Sequence, residues 1–208
     1  KKTLHRAEHV AQRRSLSLRL RRSQVGVEHG EVARDDDAAL VVLLEELRRL
    51  GIPFEGCLFS GLMTTADGTH YKLEDNARFG APETESLVRQ TQNLHELLDA
   101  VATRRLDEVD IRMNTRAVVS IVLAAKGYPG TPEKGHEIVG IDSAKGDPRV
   151  KVFHAGTTIT DGKLVTNGGR VLTVSATGDS LQEAKAAAYA AADQISFVND
   201  SGEDTKYM

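Results

Sequence analysis

Leucines at helical spacing form the first regular pattern along the chain, and three consecutive aspartates at 35–37 precede it. Between Leu40 and Leu50 the leucines recur every three or four residues, as in the buried stripe of an amphipathic helix. Aspartates favour a helix N-terminus because their charge complements the helix dipole, and Gly51 is typical of a C-terminus. The pattern therefore predicts a helix over about residues 36–50.

Two strands and a further helix are predicted next. Residues 54–63 are rich in Phe, Leu and Cys, and the sequence Ala-Asp-Gly-Thr at 66–69 is a hairpin turn signal. The return strand then covers about residues 71–78. Beyond it, apolar residues at helical spacing predict a single helix over roughly residues 83–105.

The second half of the chain predicts a small β-rich fold. Residues 117–125 form a nearly continuous apolar run, which is typical of a buried strand. Ser180 and Glu183 have capping-box spacing and predict a final Ala-rich helix that ends near residue 195. Short strands are expected between these elements, at residues 137–141, 150–154, 157–160, 163–166 and 170–176.

Two glycine-containing turns separate the last of these strands. The pair Asp161-Gly162 is typical of a two-residue hairpin turn, and Asn167-Gly168-Gly169 is expected to be another site of positive φ. Helices and short strands together predict an α+β fold.

Shifts in composition predict four regions. Residues 1–34 hold nine basic side chains against three acidic ones and frame no convincing element. We expect a basic, disordered tail there; the alternative is an arm that binds nucleic acid or an anionic membrane. Residues 35–108 and 109–198 form two organised regions that meet at an acidic junction. Residues 199–208 are polar and are expected to fray.

Composition restricts the class of protein. With 208 residues and 40% hydrophobic content, the chain has material for a core, and its net charge of −3 argues against a general nucleic-acid binder. Its single Cys57 cannot form an internal disulfide, which indicates a reducing cytoplasm. No apolar run reaches the roughly 18 residues that a membrane span needs. Because the chain begins at Lys1, we expect a fragment or a processed product.

Polar residues at alternate positions mark the return strand. In an extended strand Glu74, Asn76 and Arg78 project from one face. Carboxylate and amide oxygens are hard donors that suit Mg²⁺, and a guanidinium suits phosphate or carboxylate. The alternative is an edge strand with a solvated polar face.

Three other features carry weaker signals. Gly168 and Gly169 with Arg170 are compatible with phosphate binding, but a tight hairpin explains the glycines equally well. His154 is either a base or, as is more common, a structural histidine. The basic, Gly-rich loop at 126–135 is a candidate lid or substrate-contact loop.

Five motifs occur in an order and at a spacing that resemble phosphoribosylamine–glycine ligase, the glycinamide ribonucleotide synthetase family of purine biosynthesis. The resemblance covers about residues 36–197 and concerns the C-terminal half of a family protein. The motifs are GCLFSGLM (56–63), LEDNARFGAPET (73–84), KGYPGTPEKG (126–135), VFHAGT (152–157) and VTNGGRVLTVSATGDSLQEA (165–184).

The resemblance implies a fold and a reaction. Residues 36–105 would form the last part of an ATP-grasp domain, and residues 115–197 a small β-rich C-terminal domain with a packing helix. The family joins glycine to 5-phosphoribosylamine through glycyl phosphate, with ATP and Mg²⁺ or Mn²⁺, to give glycinamide ribonucleotide. The partners that the resemblance implies are small-molecule substrates, namely glycine, phosphoribosylamine and ATP; the cytoplasmic location and the absence of membrane or nucleic-acid partners are expected from the composition.

The resemblance also implies roles for single residues. Glu74 and Asn76 match the metal ligands, and Arg78 matches the basic residue beside the phosphates, which implies a catalytic role. Gly80 and Glu83 fall in the loop that binds substrate or phosphate. The family usually carries Asp where this chain has Ala81, so one carboxylate of that loop is absent.

Alternatives to an active ligase remain open. A truncated chain that lacks the N-terminal half of the family protein would need that half in trans for activity. A non-catalytic remnant that keeps the fold as an interaction module is the second reading. A basic-arm nucleic-acid binder and another ATP-grasp ligase are the remaining two.

Overall fold

A computed structural model describes residues 36–52, 54–66 and 70–208. The predicted basic tail at 1–34 and most of the predicted turn at 66–69 lie outside the described residues. The elements are α1 (Asp36–Arg49), β1 (Phe59–Thr64), β2 (His70–Asn76), α2 (Glu83–Gln90), α3 (Leu94–Ala102), a 3₁₀ turn (Leu106–Glu108), β3 (Ala117–Ala124), β4 (Glu137–Val139), α4 (Ile141–Ala144), β5 (Val150–His154), β6 (Thr157–Thr160), β7 (Lys163–Thr166), β8 (Arg170–Gly178), α5 (Leu181–Ala192) and β9 (Ser196–Val198).

The described chain divides into two compact units. The hairpin unit contains the described residues up to 80 together with 93–111, and the C-terminal unit contains residues 81–92 and 112–208. In the hairpin unit β1 and β2 pair as an antiparallel ribbon, with a register shift after Gly61. No described helix is long and apolar enough to cross a membrane.

The C-terminal unit is built around β8. This strand lies between β3 and β5 in an antiparallel sheet, and all of its residues after Arg170 are buried. The buried alanine face of α5 belongs to the same core, because small side chains let a helix approach a sheet closely. A second sheet has the order β6-β7-β4-β9. The largest fully buried side chains are Leu123, Val171, Leu172, Val174, Ile195 and Phe197.

Several local predictions are confirmed. The hydroxyl oxygen of Ser180 accepts a hydrogen bond of 3.2 Å from the backbone N–H of Glu183, and the Glu183 carboxylate accepts one from Asp179 N–H. The Ser180 half of the predicted capping box is therefore formed, whereas the Glu183 carboxylate reaches the N–H of Asp179 and not that of Ser180. Asp161 and Gly162 both have positive φ, 52° and 77°, and form the expected turn between β6 and β7.

The single helix predicted over 83–105 is wrong, because the structure has two helices there. Thr91 follows α2 in an extended conformation and pairs with Met113 as an isolated bridge. The buried side chain of Asn93 donates to the carbonyl oxygen of Asp110 at 2.9 Å. These long-range contacts replace the helical hydrogen bonds that would have joined α2 to α3.

Residues 81–92 group with the C-terminal unit, whereas the sequence places them in the region 35–108. The reason lies in the polar side chains of α2. Ser86 Oγ lies 2.7 Å from Ser120 Oγ on β3, and Arg89 donates to the carbonyl oxygen of Arg149 at 2.8 Å. The helix is thus tied to the β-rich sheet.

The positive φ predicted at 167–169 is also wrong, since the glycines there serve close packing. A Cβ on Gly156 would lie 2.8 Å from Gly168 Cα and 2.7 Å from the carbonyl oxygen of Arg170. A Cβ on Gly169 would collide with the ring of Tyr128. The glycines let two backbone segments and one aromatic ring approach closely.

Residues 199–208 are tied to the core and do not fray as predicted. Thr205 is buried and donates through its hydroxyl to the carbonyl oxygen of Phe197 at 2.9 Å. Tyr207 forms an isolated bridge with Ala124. The polar composition predicted a frayed terminus, but these polar groups form hydrogen bonds within the fold.

Candidate metal and phosphate site

The end of β2 carries the two predicted metal ligands. Glu74 and Asn76 lie two positions apart on this strand, so their side chains share one face. Glu74 lies opposite Gly61 on β1, and a Cβ on Gly61 would be 3.2 Å from Glu74 Cγ. The stem of the glutamate therefore crosses the partner strand at a residue without a side chain, and its carboxylate is exposed.

The neighbouring carboxylate, that of Asp75, is hydrogen-bonded to Ser60. It lies opposite Ser60, and its Oδ1 is 2.5 Å from Ser60 Oγ. Because side chains alternate along a strand, this pair marks the other face of the ribbon. Asp75 is thus separated from Glu74 and Asn76 by the alternation of the strand.

The side-chain amide nitrogen of Asn76 is an unsatisfied hydrogen-bond donor. Its Nδ2 is buried and has no partner among the described residues. Buried polar groups normally have a partner, so this N–H group suits an external acceptor such as a phosphate oxygen. The Oδ1 of the same amide and the Glu74 carboxylate are hard oxygen donors.

This donor set fits a divalent cation that also binds phosphate. Mg²⁺ commonly takes only one or two protein oxygens and completes its octahedron with water and substrate phosphates. Within the described ranges, no group of three or more His, Cys, Asp or Glu residues is arranged to hold a metal. A cation at the end of β2 would be held by Glu74 and Asn76 together with its phosphate ligand.

The remaining predicted site residues are placed differently. β2 ends at Asn76, so the prediction that Arg78 shares its strand face is wrong. Arg78 lies in a bend, is exposed, and donates from Nη1 to the carbonyl oxygen of Phe79 at 2.8 Å. Gly80 is buried at the end of the hairpin unit, and Glu83 is the first residue of α2 in the C-terminal unit.

Arg170 has a structural role that the sequence did not reveal. Its Nη1 donates a hydrogen bond of 2.6 Å to the carbonyl oxygen of Ala81. The two residues are 89 positions apart, yet both belong to the C-terminal unit. Arg170 therefore holds the turn that leads into α2, and no local pattern in the sequence signals this contact.

The weaker candidates can also be placed. His154, at the end of β5, is exposed, and its Nδ1 lies 3.2 Å from Thr157 Oγ1. It lines a cavity of about 380 Å³ together with Lys145 and Asp142. In the loop 126–135, Lys126 and Glu133 form an ion pair of 3.1 Å across the base.

Cys57 is not set up as a nucleophile. Burial raises the pKa of its thiol above the ordinary value. A raised pKa keeps the thiol protonated near neutral pH, and the thiolate is the reactive form.

Comparison with known proteins identifies the relatives. A family model described as "Phosphoribosylglycinamide synthetase, C domain" matches residues 118–201. The chain is similar to the C-terminal part of the phosphoribosylamine–glycine ligases. The predicted resemblance is thereby confirmed.

Curated relatives and a solved structure agree. The phosphoribosylamine–glycine ligase of Mesorhizobium japonicum is 48% identical over 150 residues, which are 72% of this chain and 35% of the relative. That of Rhodopirellula baltica is 43% identical over 166 residues, 79% of this chain and 38% of the relative. A crystal structure of the Thermotoga maritima enzyme aligns with a TM-score of 0.61 at 36% identity, covering 85% of this chain and 43% of that one.

Two consequences follow from these matches. The α+β fold class predicted from the sequence is confirmed by the described elements and by the T. maritima structure. The chain spans only 35–38% of the length of the two curated relatives.

Proposed function

We propose that the chain supplies the metal- and phosphate-binding end of an ATP-grasp ligase that makes glycinamide ribonucleotide in de novo purine biosynthesis. The observation that carries the proposal is the pairing of Glu74 and Asn76 on one face of β2, inside a region similar to phosphoribosylamine–glycine ligases. The buried, unpartnered Asn76 amide adds support, because a phosphate oxygen would satisfy it.

The proposed reaction has two steps. The carboxylate of glycine attacks the γ-phosphorus of ATP, which gives glycyl phosphate and ADP. The amine of 5-phosphoribosylamine then attacks the acyl carbon, an amide bond forms, and inorganic phosphate leaves. Both steps bring several anions together, so a site needs positive charge at the phosphates and protection of the acyl phosphate from water.

Residues of this chain would meet part of that need. Glu74 and Asn76 would hold Mg²⁺ or Mn²⁺, whose charge lowers the repulsion between phosphate oxygens. Arg78 would contact the transferred phosphoryl group or the acyl phosphate through its guanidinium. Gly80 and Glu83 would contribute to the loop that binds substrate or phosphate.

Ligase activity is expected to need residues beyond this chain. The curated relatives are nearly three times as long as the part that this chain covers. We therefore propose that an N-terminal half, supplied in trans, is required for turnover. A cytoplasmic location fits the single Cys57 and the small, polar substrates.

Calorimetry of ATP binding with and without Mg²⁺ tests the proposed metal site. The chain should bind ATP only with the cation, and Glu74→Ala should abolish that dependence. Glu45→Ala, which removes an exposed carboxylate from α1, should leave binding unchanged. Mg²⁺-independent binding, or equal binding by Glu74→Ala, would contradict the assignment and favour a non-catalytic module that keeps the fold.

A second assay tests turnover. The N-terminal part of the M. japonicum relative is added to the chain, and glycine- and phosphoribosylamine-dependent ADP release is measured. We expect release with both parts and little with the chain alone. Release by the chain alone would show that the N-terminal part is not required.

A further inference from the structure

A cleft in the C-terminal unit is formed by the short helix α4, the strands β4 and β7, and the end of β5. Its volume is about 380 Å³. Its wall combines an apolar floor with a polar rim, and the rim comes mostly from α4 and the residue that follows it. We call it the α4 cleft.

The polar rim of the α4 cleft has groups to offer a ligand. The carboxylate of Asp142, the hydroxyl of Ser143 and the ammonium of Lys145 form no hydrogen bond or ion pair with other described residues. His154 uses one ring nitrogen, Nδ1, which lies 3.2 Å from Thr157 Oγ1. That contact orients the ring, and its Nε2 has no partner in the described part of the chain.

The floor of the cleft is the apolar face of the four-stranded sheet. Ile138 on β4 and Leu164 on β7 line it, and Ile159 on β6 lies directly opposite Leu164. Cross-strand partners share a face, so this apolar face continues from the core to the edge strand. Ile159 is 73% exposed, and it extends the apolar surface that a ligand can cover.

The helix that carries the rim is held in place. Ala144 is buried in the core, and Ile141 packs against the same core. Gly140 precedes α4 with a φ of 86°, and a Cβ there would collide with the carbonyl oxygen of Gln194. Because α4 is fixed before any ligand arrives, little entropy is lost in ordering the rim on binding.

The charges of the lining favour a neutral ligand. Asp142 and Lys145 are opposite in charge, so the lining has no net charge when His154 is neutral. Sites for phosphate and other dianions gather cations, whereas this rim offers one acceptor, one donor and two groups that can do either. The volume lies near the lower end of the roughly 300–1,000 Å³ of ligand pockets, which suits a small molecule.

We propose that the α4 cleft binds a nucleoside, with its base on Ile138 and Leu164 and its N–H and O–H groups on Asp142, Ser143 and His154. A nucleoside combines the two features that the wall requires, a flat heterocycle and a sugar with hydroxyl groups. The proposal uses residues of the C-terminal unit alone and does not rest on the proposed function.

Binding of adenosine to the whole chain can be followed by amide chemical shifts without ATP or metal. We expect shifts at residues 138–145, at His154 and at Leu164. Ribose, which lacks the base, should bind at least tenfold more weakly, because it leaves the apolar floor uncovered.

Three variants at exposed positions test the wall of the cleft. Asp142→Ala removes the only carboxylate of the lining and should weaken adenosine binding by about tenfold or more. Ile159→Ser shortens the apolar surface and should weaken it several-fold. Asp200→Ala removes an exposed aspartate outside the lining and should bind adenosine as the natural chain does.

The proposal is overturned if adenosine causes no shifts at the cleft, if Asp142→Ala binds it as well as the natural chain, or if ribose binds equally well. Adenosine monophosphate that binds more than tenfold more tightly than adenosine would also overturn it, since that result describes an anion site at Lys145. Shifts confined to β2 would place adenosine at the proposed ATP site and overturn the assignment to the α4 cleft. Since ATP and metal are absent, none of these outcomes bears on the test of Glu74.

Discussion

The ammonium group of Lys206 donates a hydrogen bond of 2.8 Å to the carbonyl oxygen of Ala192, the last residue of α5. The same group reaches the carbonyl oxygen of Ile195, and the Lys206 side chain is only 8% exposed. Carbonyl groups at a helix C-terminus have no partner within the helix, so a lysine can satisfy them. Lys206, near the end of the chain, thus caps the C-terminus of the last helix of the core.

Replacing this lysine should destabilise the C-terminal unit. Lys206→Met keeps most of the apolar stem but removes the ammonium donor from the carbonyl oxygens of Ala192 and Ile195; the Ala192 oxygen keeps only the 3.2 Å hydrogen bond from the Ile195 N–H. Hydrogen bonds to charged groups contribute about 1.5–3 kcal/mol, so the free energy of unfolding should fall by that order. Urea denaturation measures the change.

Lys151→Met is the matched control, because Lys151 is exposed on β5. Its denaturation midpoint should stay within error of that of the natural chain. An equal midpoint for Lys206→Met would mean that the contact contributes nothing to stability.

Stability should also depend on Asp204 and on pH. Burial raises the pKa of its carboxyl, but N–H groups of Phe197 and Lys206, at 2.9 and 3.0 Å, donate to it and leave the pKa below its ordinary value. The stabilisation is therefore present above the unfolded-state pKa, about 3.9, and is lost as the pH falls through the lower, folded-state pKa.

The measurement is the urea midpoint of the natural chain and of Asp204→Asn between pH 7 and pH 3. Asp204→Asn should be less stable at pH 7, and the difference should shrink as the pH approaches 3. Asp200→Asn alters a nearby exposed aspartate and should leave the midpoint unchanged at both pH values. A constant difference across this range would show that the charge of Asp204 is not the cause.

What the sequence could predict depended on whether the cause was local. The helix cap at Ser180 and the turn at Asp161 rest on residues a few positions apart, and both formed as expected. The break after α2 depends on Met113, and the order of the last ten residues depends on Lys206 meeting α5. Such partners are distant in sequence, so helical spacing and polar composition gave the wrong answer there.

The candidate site follows the same division. Alternation along a strand correctly placed Glu74 and Asn76 on one face, because it is a property of extended backbone. It failed for Arg78, because the strand ends at Asn76. No local pattern in the sequence singles out Glu85. Its Oε2 is buried without a hydrogen-bond partner only in the folded chain, where Thr173 donates to the other carboxylate oxygen.

The attachment of α2 to the β-rich sheet should depend on Arg89. Its guanidinium donates to the carbonyl oxygens of Arg149, at 2.8 Å, and Ser175, at 3.2 Å. Burial, followed by the nearby charge of Arg116, lowers the pKa of Arg89, but an arginine stays charged at neutral pH.

Arg89→Met should therefore lower the free energy of local opening of α2 more than that of the sheet. Hydrogen exchange of the α2 amides should become faster by at least tenfold, while amides of β8 should change less. Arg105→Met removes an exposed ion pair with Asp99 and should leave exchange in α2 unchanged. Equal acceleration in α2 and β8 would instead indicate loss of global stability.

Gly61, which lies opposite Glu74, should control the position of the proposed metal-binding carboxylate. A Cβ on Gly61 would lie 3.2 Å from Glu74 Cγ, closer than the roughly 3.5–4.0 Å of an ordinary contact, so the side chain must shift. Gly61→Ala should therefore weaken Mg²⁺-dependent ATP binding several-fold in calorimetry while keeping both ligands. Ser60→Ala changes the opposite face, where Ser60 meets Asp75, and should leave the affinity unchanged. If Glu74→Ala abolishes binding but Gly61→Ala does not weaken it, the position of the carboxylate is not set by this contact.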